Sequence, residues 1–311
     1  MDFIQLDSYP VQTTLKLLLQ DKSTKKNIIW ATDSYAFLGE AYTDKSQMIK
    51  NQLININYRI IQPRIFKDME QQVYRTRKSA EVFTPAWICN KMNNFCDEEW
   101  FGYKNVFNYQ EEQEWIPTED IIKFPEEINK NWQAYVDSRR LEITCGEAPY
   151  LVSRYDTSTG MPIEIHKRIG ILDRKIRVIN ENTVDEKEWM EWIIRAFQSV
   201  YGYEYQGDNL LIARINLLMT FVDYLKDRWN REPNKLELRK IANIISWNIW
   251  QMDGLKGTVP VGVLKEEYHQ MSLFEPVEEI EENENESEVL CSIYDWRKGK
   301  PVLYIELGKG R

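Results

Sequence analysis

From residue 185 onward the chain alternates amphipathic helical patterns with short apolar pieces, and this alternation limits the fold more than any other feature. Asp185 and Glu188 form a capping-box pattern ahead of Trp189, Trp192, Ile193, Phe197 and Val200, which share one helical face before Gly202. A second helix is expected from about Asp208 to Trp229, with Leu211, Ile212, Ile215, Leu218, Met219, Val222 and Leu225 as its apolar stripe. A third begins at Asn234, with Glu237 three positions on, and turns Ile241, Ile244 and Ile245 inward. Strand-like pieces at 140–144, 202–206 and 302–307 complete an α/β pattern. Nearer the start, Ser8 and Pro10 precede a helix through Leu15 and Leu17 to Leu19, ending near 21–26. A strand is expected at 28–31 and a helix within 45–62.

Composition removes several classes. A chain of 311 residues that is 43% hydrophobic, with 11 Trp and 17 Tyr, builds one large or two modest cores and is neither disordered nor fibrous. No apolar run reaches the roughly 18 to 20 residues that span a bilayer, and charges interrupt the first 20 residues where a signal peptide would be apolar. A cytoplasmic protein without membrane contact is expected. Cys89, Cys96, Cys145 and Cys291 form no CxxC pair, and His166 and His269 are the only histidines, so no metal site and reduced thiols are expected.

The formal charge of −9 is unevenly spread. Residues 275–288 (EPVEEIEENENESE) hold eight glutamates and no Lys or Arg, which reads as an acidic linker and leaves the remainder nearly neutral. Against it, the stretch 59–78 carries Arg59, Arg64, Lys67, Arg75, Arg77 and Lys78 with only Asp68 and Glu70, a patch suited to phosphates.

The most informative segment is LEITCGEAPYL, 141–151, which places the acidic Glu142 at a strand end and Gly146 in the turn beyond it. A glycine there allows close approach of backbone to a ligand. The segment resembles the first motif of DNA adenine methyltransferases, written LDPACGSGAFL, with Leu141, Glu142, Cys145, Gly146, Tyr150 and Leu151 matching in type and Ala148 in place of the second glycine. Three further segments resemble the family in order. RKSAEVFTPAWICNKM, 77–92, is similar to its Phe-Thr-Pro motif through Phe83, Thr84 and Pro85. GYEYQGDNLLIARINLL, 202–218, is similar to its second motif, with Glu204 placed as ribose ligand. NIWQMDGLKG, 248–257, is similar to its third, with Asp253 placed at the adenine. Glu142 and Glu204 stand 62 positions apart where a compact unit has about 20. An insertion over about 153–185 is implied, whose basic stretch 166–177 (HKRIGILDRKIR) is expected to lie near DNA.

The resemblance implies a Rossmann-like S-adenosylmethionine-dependent methyltransferase fold with a mixed helical N-terminal region. Its layout would be an α-rich region over 1–76, a cofactor-binding domain over 77–274, the acidic linker 275–288 and a C-terminal strand segment over 289–311. S-adenosylmethionine is the expected cofactor, held by Phe83, Thr84, Pro85, Glu142, Cys145, Gly146, Glu204 and Asp253, and DNA is the expected partner. The family's Asn-Pro-Pro-Tyr loop, which holds the target amine and stacks on a flipped base, has no counterpart, since Pro260, Pro276 and Pro301 lack that setting. Tyr294, Asp295 and Trp296 are the substitute catalytic candidates. The chain is thus expected to be a methyltransferase-like subunit of a restriction–modification or related DNA-modification system, needing a partner chain for the missing loop. The alternative is a non-catalytic cofactor- or DNA-binding protein with the same fold.

Overall fold

The computed structural model describes residues 4–55, 61–79, 83–260 and 288–307. Helices α1 (Val11–Leu18), α2 (Lys50–Asn55), α3 (Met69–Ser79) and α4 (Ala86–Phe101) come first, followed by a hairpin of β1 (Asn108–Glu111) and β2 (Glu114–Pro117). Then come α5 (Trp132–Asp137), β3 (Arg140–Glu142), α6 (Ile171–Asn182), α7 (Glu186–Ser199), β4 (Val200–Glu204), α8 (Gly207–Trp229), α9 (Lys235–Asn248) and β5 (Ile249–Gln251). A second hairpin, β6 (Ser292–Asp295) and β7 (Lys300–Leu303), follows.

The centre is a parallel sheet of order β3-β4-β5, with Glu142 opposite Gly202 and Glu204 opposite Gln251. Sequential strands lie side by side with helices between them, the arrangement of one winding of an α/β sheet. Successive residues of a strand face opposite sides. Val200 and Ile249 join the main core, which runs from Ile4 to Ile249, whereas Tyr201, Tyr203 and Trp250 form a second cluster with Ile293 and Val302 of the C-terminal hairpin.

The expected helix starts hold. The Asp185 side chain accepts from Glu188 N, and Asn234 with Glu237 completes a reciprocal capping box on α9. Helix α8 is buried almost all round, not along a stripe, because it lies between other elements on every side. Within it, Arg214 is fully buried and donates to the carbonyls of Leu18, Ile249 and Ser246. Its cation thereby satisfies carbonyls at the C-terminal ends of α1 and α9.

Two expected strands differ. Residues 28–31 make only an isolated bridge at Ile29, because the Gln251 side chain takes the place of a neighbouring strand: its Oε1 accepts from Ile29 N and its Nε2 donates to Ile29 O, both at 2.9 Å. The last strand ends at Leu303, after which Tyr304–Glu306 forms a 3-10 turn.

Several cations of the two stretches expected to face DNA are turned inward, while Arg77, His166 and Lys167 are exposed. In 166–177, Arg174 donates to Asp97 and Asn90, Lys175 to Val136 O and Ser199 Oγ, and Arg168 to Asp223. Arg174 and Lys175 are 2% and 0% exposed. In 59–78, Arg75 and Lys67 are spent on the buried Asp208. A linear charge count does not see partners brought from elsewhere in the chain. Arg59 and the acidic run 275–287 lie outside the described residues, while Glu288 pairs with Lys256. Among the described residues no helix is long and apolar enough to cross a membrane, and no group of three or more His, Cys, Asp or Glu is placed to hold a metal.

Candidate functional site

A cavity of about 700 Å³ opens at the carboxyl ends of β3, β4 and β5. Of the eight residues nominated as cofactor ligands, Phe83, Thr84, Glu142, Cys145, Gly146, Glu204 and Asp253 line it, and only Pro85 does not. Positions separated by up to 170 residues are brought together because parallel strands bring all their carboxyl ends to one edge.

The turn after β3 forms the floor. Thr144, Gly146 and Ala148 take φ values of 46°, 53° and 64°. Left-handed backbone suits glycine, and a β-branched threonine or an alanine there stores strain of the kind that collects at functional sites. Ala148 therefore takes a left-handed conformation where the family pattern has glycine. A Cβ added to Gly146 would meet nothing within 4 Å, so this stretch of backbone faces open space.

Three carboxylates stand at the strand tips, each oriented by backbone donors. Glu142 accepts from Tyr150 N and Leu151 N at 3.3 and 3.1 Å. Glu204 accepts from Gly146 N at 2.9 Å and Gln206 N at 3.1 Å. Asp253 accepts from Leu255 N and Lys256 N at 2.9 and 3.2 Å. Burial pushes the Glu142 carboxyl up to about 8; the two N–H bonds work against that rise and the nearby Glu204 adds to it. Burial and the neighbouring Glu142 and Glu204 likewise hold the Cys145 thiol well above its ordinary range, so it is an apolar wall and not a nucleophile.

Phe83 and Thr84 close one side. Helix α4 starts directly after Pro85, and its first N–H is taken: Asp156 Oδ2 accepts from Ala86 N at 2.9 Å. Asp156 belongs to the stretch 153–185, which thereby braces the segment 83–85.

The opposite wall is one that sequence reasoning missed: Ala31, Thr32, Asp33 and Asp44 of the N-terminal region. It is tied down by Gly207 N donating to Trp30 O at 2.9 Å and by the Gln251 amide on Ile29. One signal was present. A Cβ on Gly207 would fall 2.0 Å from Ile29 O, so the glycine opening α8 marks a close approach of another backbone.

Tyr294, Asp295 and Trp296 are not brought to this cavity. Asp295 accepts from Arg139, just ahead of β3, and Trp296 Nε1 donates to Asn248, just ahead of β5. They stand at the amino end of the sheet, engaged with structural partners.

Among the described residues that line the cavity, the ionisable groups are the carboxyls of Asp33, Asp44, Glu142, Glu147, Glu204 and Asp253, the buried Cys145 thiol and the Tyr150 and Tyr205 phenols, and no Lys, Arg or His is among them. The nearby Lys67 and Arg75 are paired with Asp208 at 2.7 and 2.8 Å. Such a lining suits a ligand that carries positive charge or donates hydrogen bonds. No family model matches the chain, and no curated protein or solved structure matches it either.

Proposed function

We propose that the chain is an S-adenosylmethionine-binding, DNA adenine methyltransferase-like subunit of a restriction–modification or related DNA-modification system, on a Rossmann-like fold. The observation that carries this reading is the convergence of the strand-tip carboxylates in one cavity with no cation among the described residues that line it. A dinucleotide, with its pyrophosphate, would meet repulsion there, whereas S-adenosylmethionine offers a sulfonium, an ammonium, a ribose diol and an adenine amine.

On this reading Glu142 holds the ammonium end, Glu204 accepts from the ribose hydroxyls and Asp253 accepts from the adenine amine. Phe83 packs on the cofactor and Gly146 lets it lie against the turn. The bound cofactor supplies an electrophilic methyl group. These residues orient it, and transfer to adenine also needs a group that aims the target amine, which is worth several kcal/mol of barrier.

That group is proposed to come from a partner chain. Among the described residues β3 is an edge strand, with its Leu141 and the following Ile143 44% and 63% exposed. Unpaired strand edges are templates for added strands, and one added here would end beside Glu142. The engagement of Asp295 and Trp296 at the far end of the sheet favours the non-catalytic alternative for the chain on its own.

Calorimetry with S-adenosylmethionine tests the cofactor. A radiolabel assay on adenine-containing duplex DNA, with and without the product of a neighbouring reading frame, tests transfer. Absence of cofactor binding overturns the proposal, and robust turnover by the single chain overturns the need for a partner.

A further inference from the structure

We infer that Arg64 is a positioning residue for the cavity: its guanidinium lies over the Phe83 ring and holds that ring in place as a wall against the bound cofactor. This rests on the cofactor reading above and adds to it a residue outside the four segments that resemble the family.

The arginine is fixed from both ends. Its backbone opens a 3-10 turn, Arg64–Phe66, directly after the buried Pro63. The first N–H groups of a helical turn have no partner within it. That of Arg64 goes to the buried Glu147, in the turn after β3, whose Oε1 accepts it at 2.7 Å. At the other end Arg64 Nη2 donates to Gln72 O at 3.2 Å and to Thr76 Oγ1, both on α3. Arg75, one residue on, clasps α3 to Asp208. Between these anchors the guanidinium stands 5.0 Å from the Phe83 ring centroid, within reach of attraction between a cation and a ring face.

Phe83 gains its side-chain order from this contact. The backbone beside it is braced from the opposite side, by Thr157 Oγ1 donating to Thr84 O at 3.0 Å and by Asp156 on Ala86 N. Those bonds leave the ring free to choose among side-chain rotamers, and the guanidinium favours one of them. Glu147 and Phe83 line the cavity and Arg64 does not, so Arg64 reaches a ligand only through the ring and through its charge. The two routes have opposite signs. A positive charge repels a sulfonium cofactor, so its removal alone tightens binding. Release of the ring weakens binding.

Calorimetry with S-adenosylmethionine on the parent, Arg64→Ala, Arg64→Lys, Phe83→Leu and the double variant Arg64→Ala with Phe83→Leu tests the inference. The Arg64 N–H bond to Glu147 is a backbone bond and survives in all of them. Arg64→Ala and Phe83→Leu are each expected to weaken binding about fivefold. Adding Arg64→Ala to Phe83→Leu should weaken it by less than about twofold more, because no ring remains to be positioned. Arg64→Lys keeps the charge without the guanidinium plane and should stay about threefold weaker than the parent. It carries the test alone if thermal unfolding shows Arg64→Ala to be unfolded. Parent-level or tighter binding in the Arg64 variants, or losses that simply add in the double variant, overturns the inference and leaves the cofactor reading standing. Failure of the parent to bind S-adenosylmethionine overturns both.

Discussion

Asp208 and Glu142 are carboxylates at 0% and 8% exposure, set in opposite surroundings. Asp208 receives Arg75, Lys67 and the Tyr35 hydroxyl, the last at 2.7 Å. Burial works to raise its carboxyl, and the two cations more than reverse this, holding it well below the usual carboxylate range. Glu142 receives only two backbone N–H groups and faces Glu204, so burial prevails. One carboxylate is neutralised by cations within the fold; the other is met by backbone donors and lines the cavity. Perturbed carboxylates of the second kind mark functional sites, whereas those of the first kind mark structural networks.

The comparison breaks most readily at Arg75. Arg75→Ala leaves Asp208 buried with a single cation, and loss of one partner of a buried pair costs about 3 to 5 kcal/mol. Urea unfolding should show that loss, because Arg75 also reaches Gln206 and Asn209 and so docks α3 against the start of α8. A change below about 1 kcal/mol would mean that Asp208 does not depend on the pair, and the contrast with Glu142 would fail.

The two carboxylates should also give stability opposite slopes with pH. Asp208 titrates lower in the folded state than in the unfolded one, so its contribution is present above about pH 4 and is lost on acidification. Glu142 titrates higher when folded, so its contribution is complete below about pH 4.5 and is lost as the pH rises towards 8. Unfolding at pH 5 and pH 8.5 should show Glu142→Gln relieving a decline of roughly 2 to 4 kcal/mol in the parent. Equal slopes in parent and variant would place Glu142 among the satisfied carboxylates.

Glu204→Ala sharpens the functional side. Losing a two-bond ribose contact made by a charged group should weaken S-adenosylmethionine binding by about 1.5 to 3 kcal/mol. Unchanged affinity in a folded variant would remove Glu204 from the site.

How much of this was legible depended on sequence distance. Caps at Asp185 and Asn234 were readable because their partners lie three residues away. The strand tips were readable because each sits in a short ordered motif. Neither the Arg75–Asp208 pair, 133 positions apart, nor the N-terminal wall has any local signature, so a linear count did not show that Lys67 and Arg75 of the basic stretch meet Asp208. The strand expected at 28–31 failed for the same reason, since a glutamine from β5 supplies its hydrogen bonds.

The smallest expected effect belongs to Asp295, a carboxylate nominated for catalysis that the structure surrounds with donors. Its Oδ1 accepts from Arg139, Arg297 N and Lys298 N at 2.9, 3.0 and 3.1 Å, well away from the cavity. Burial tends to raise its carboxyl, but the backbone donors and Arg139 prevail and hold it low, so it belongs with Asp208 and not with Glu142. Arg139 is 41% exposed, which screens the pair, so Asp295→Asn should cost only about 0.5 to 1.5 kcal/mol of stability, lost as turn bonds more than as charge. Cofactor affinity should not move. If Asp295→Asn instead left stability intact and abolished methyl transfer in the partnered enzyme, the division between satisfied and waiting carboxylates would not predict function in this chain.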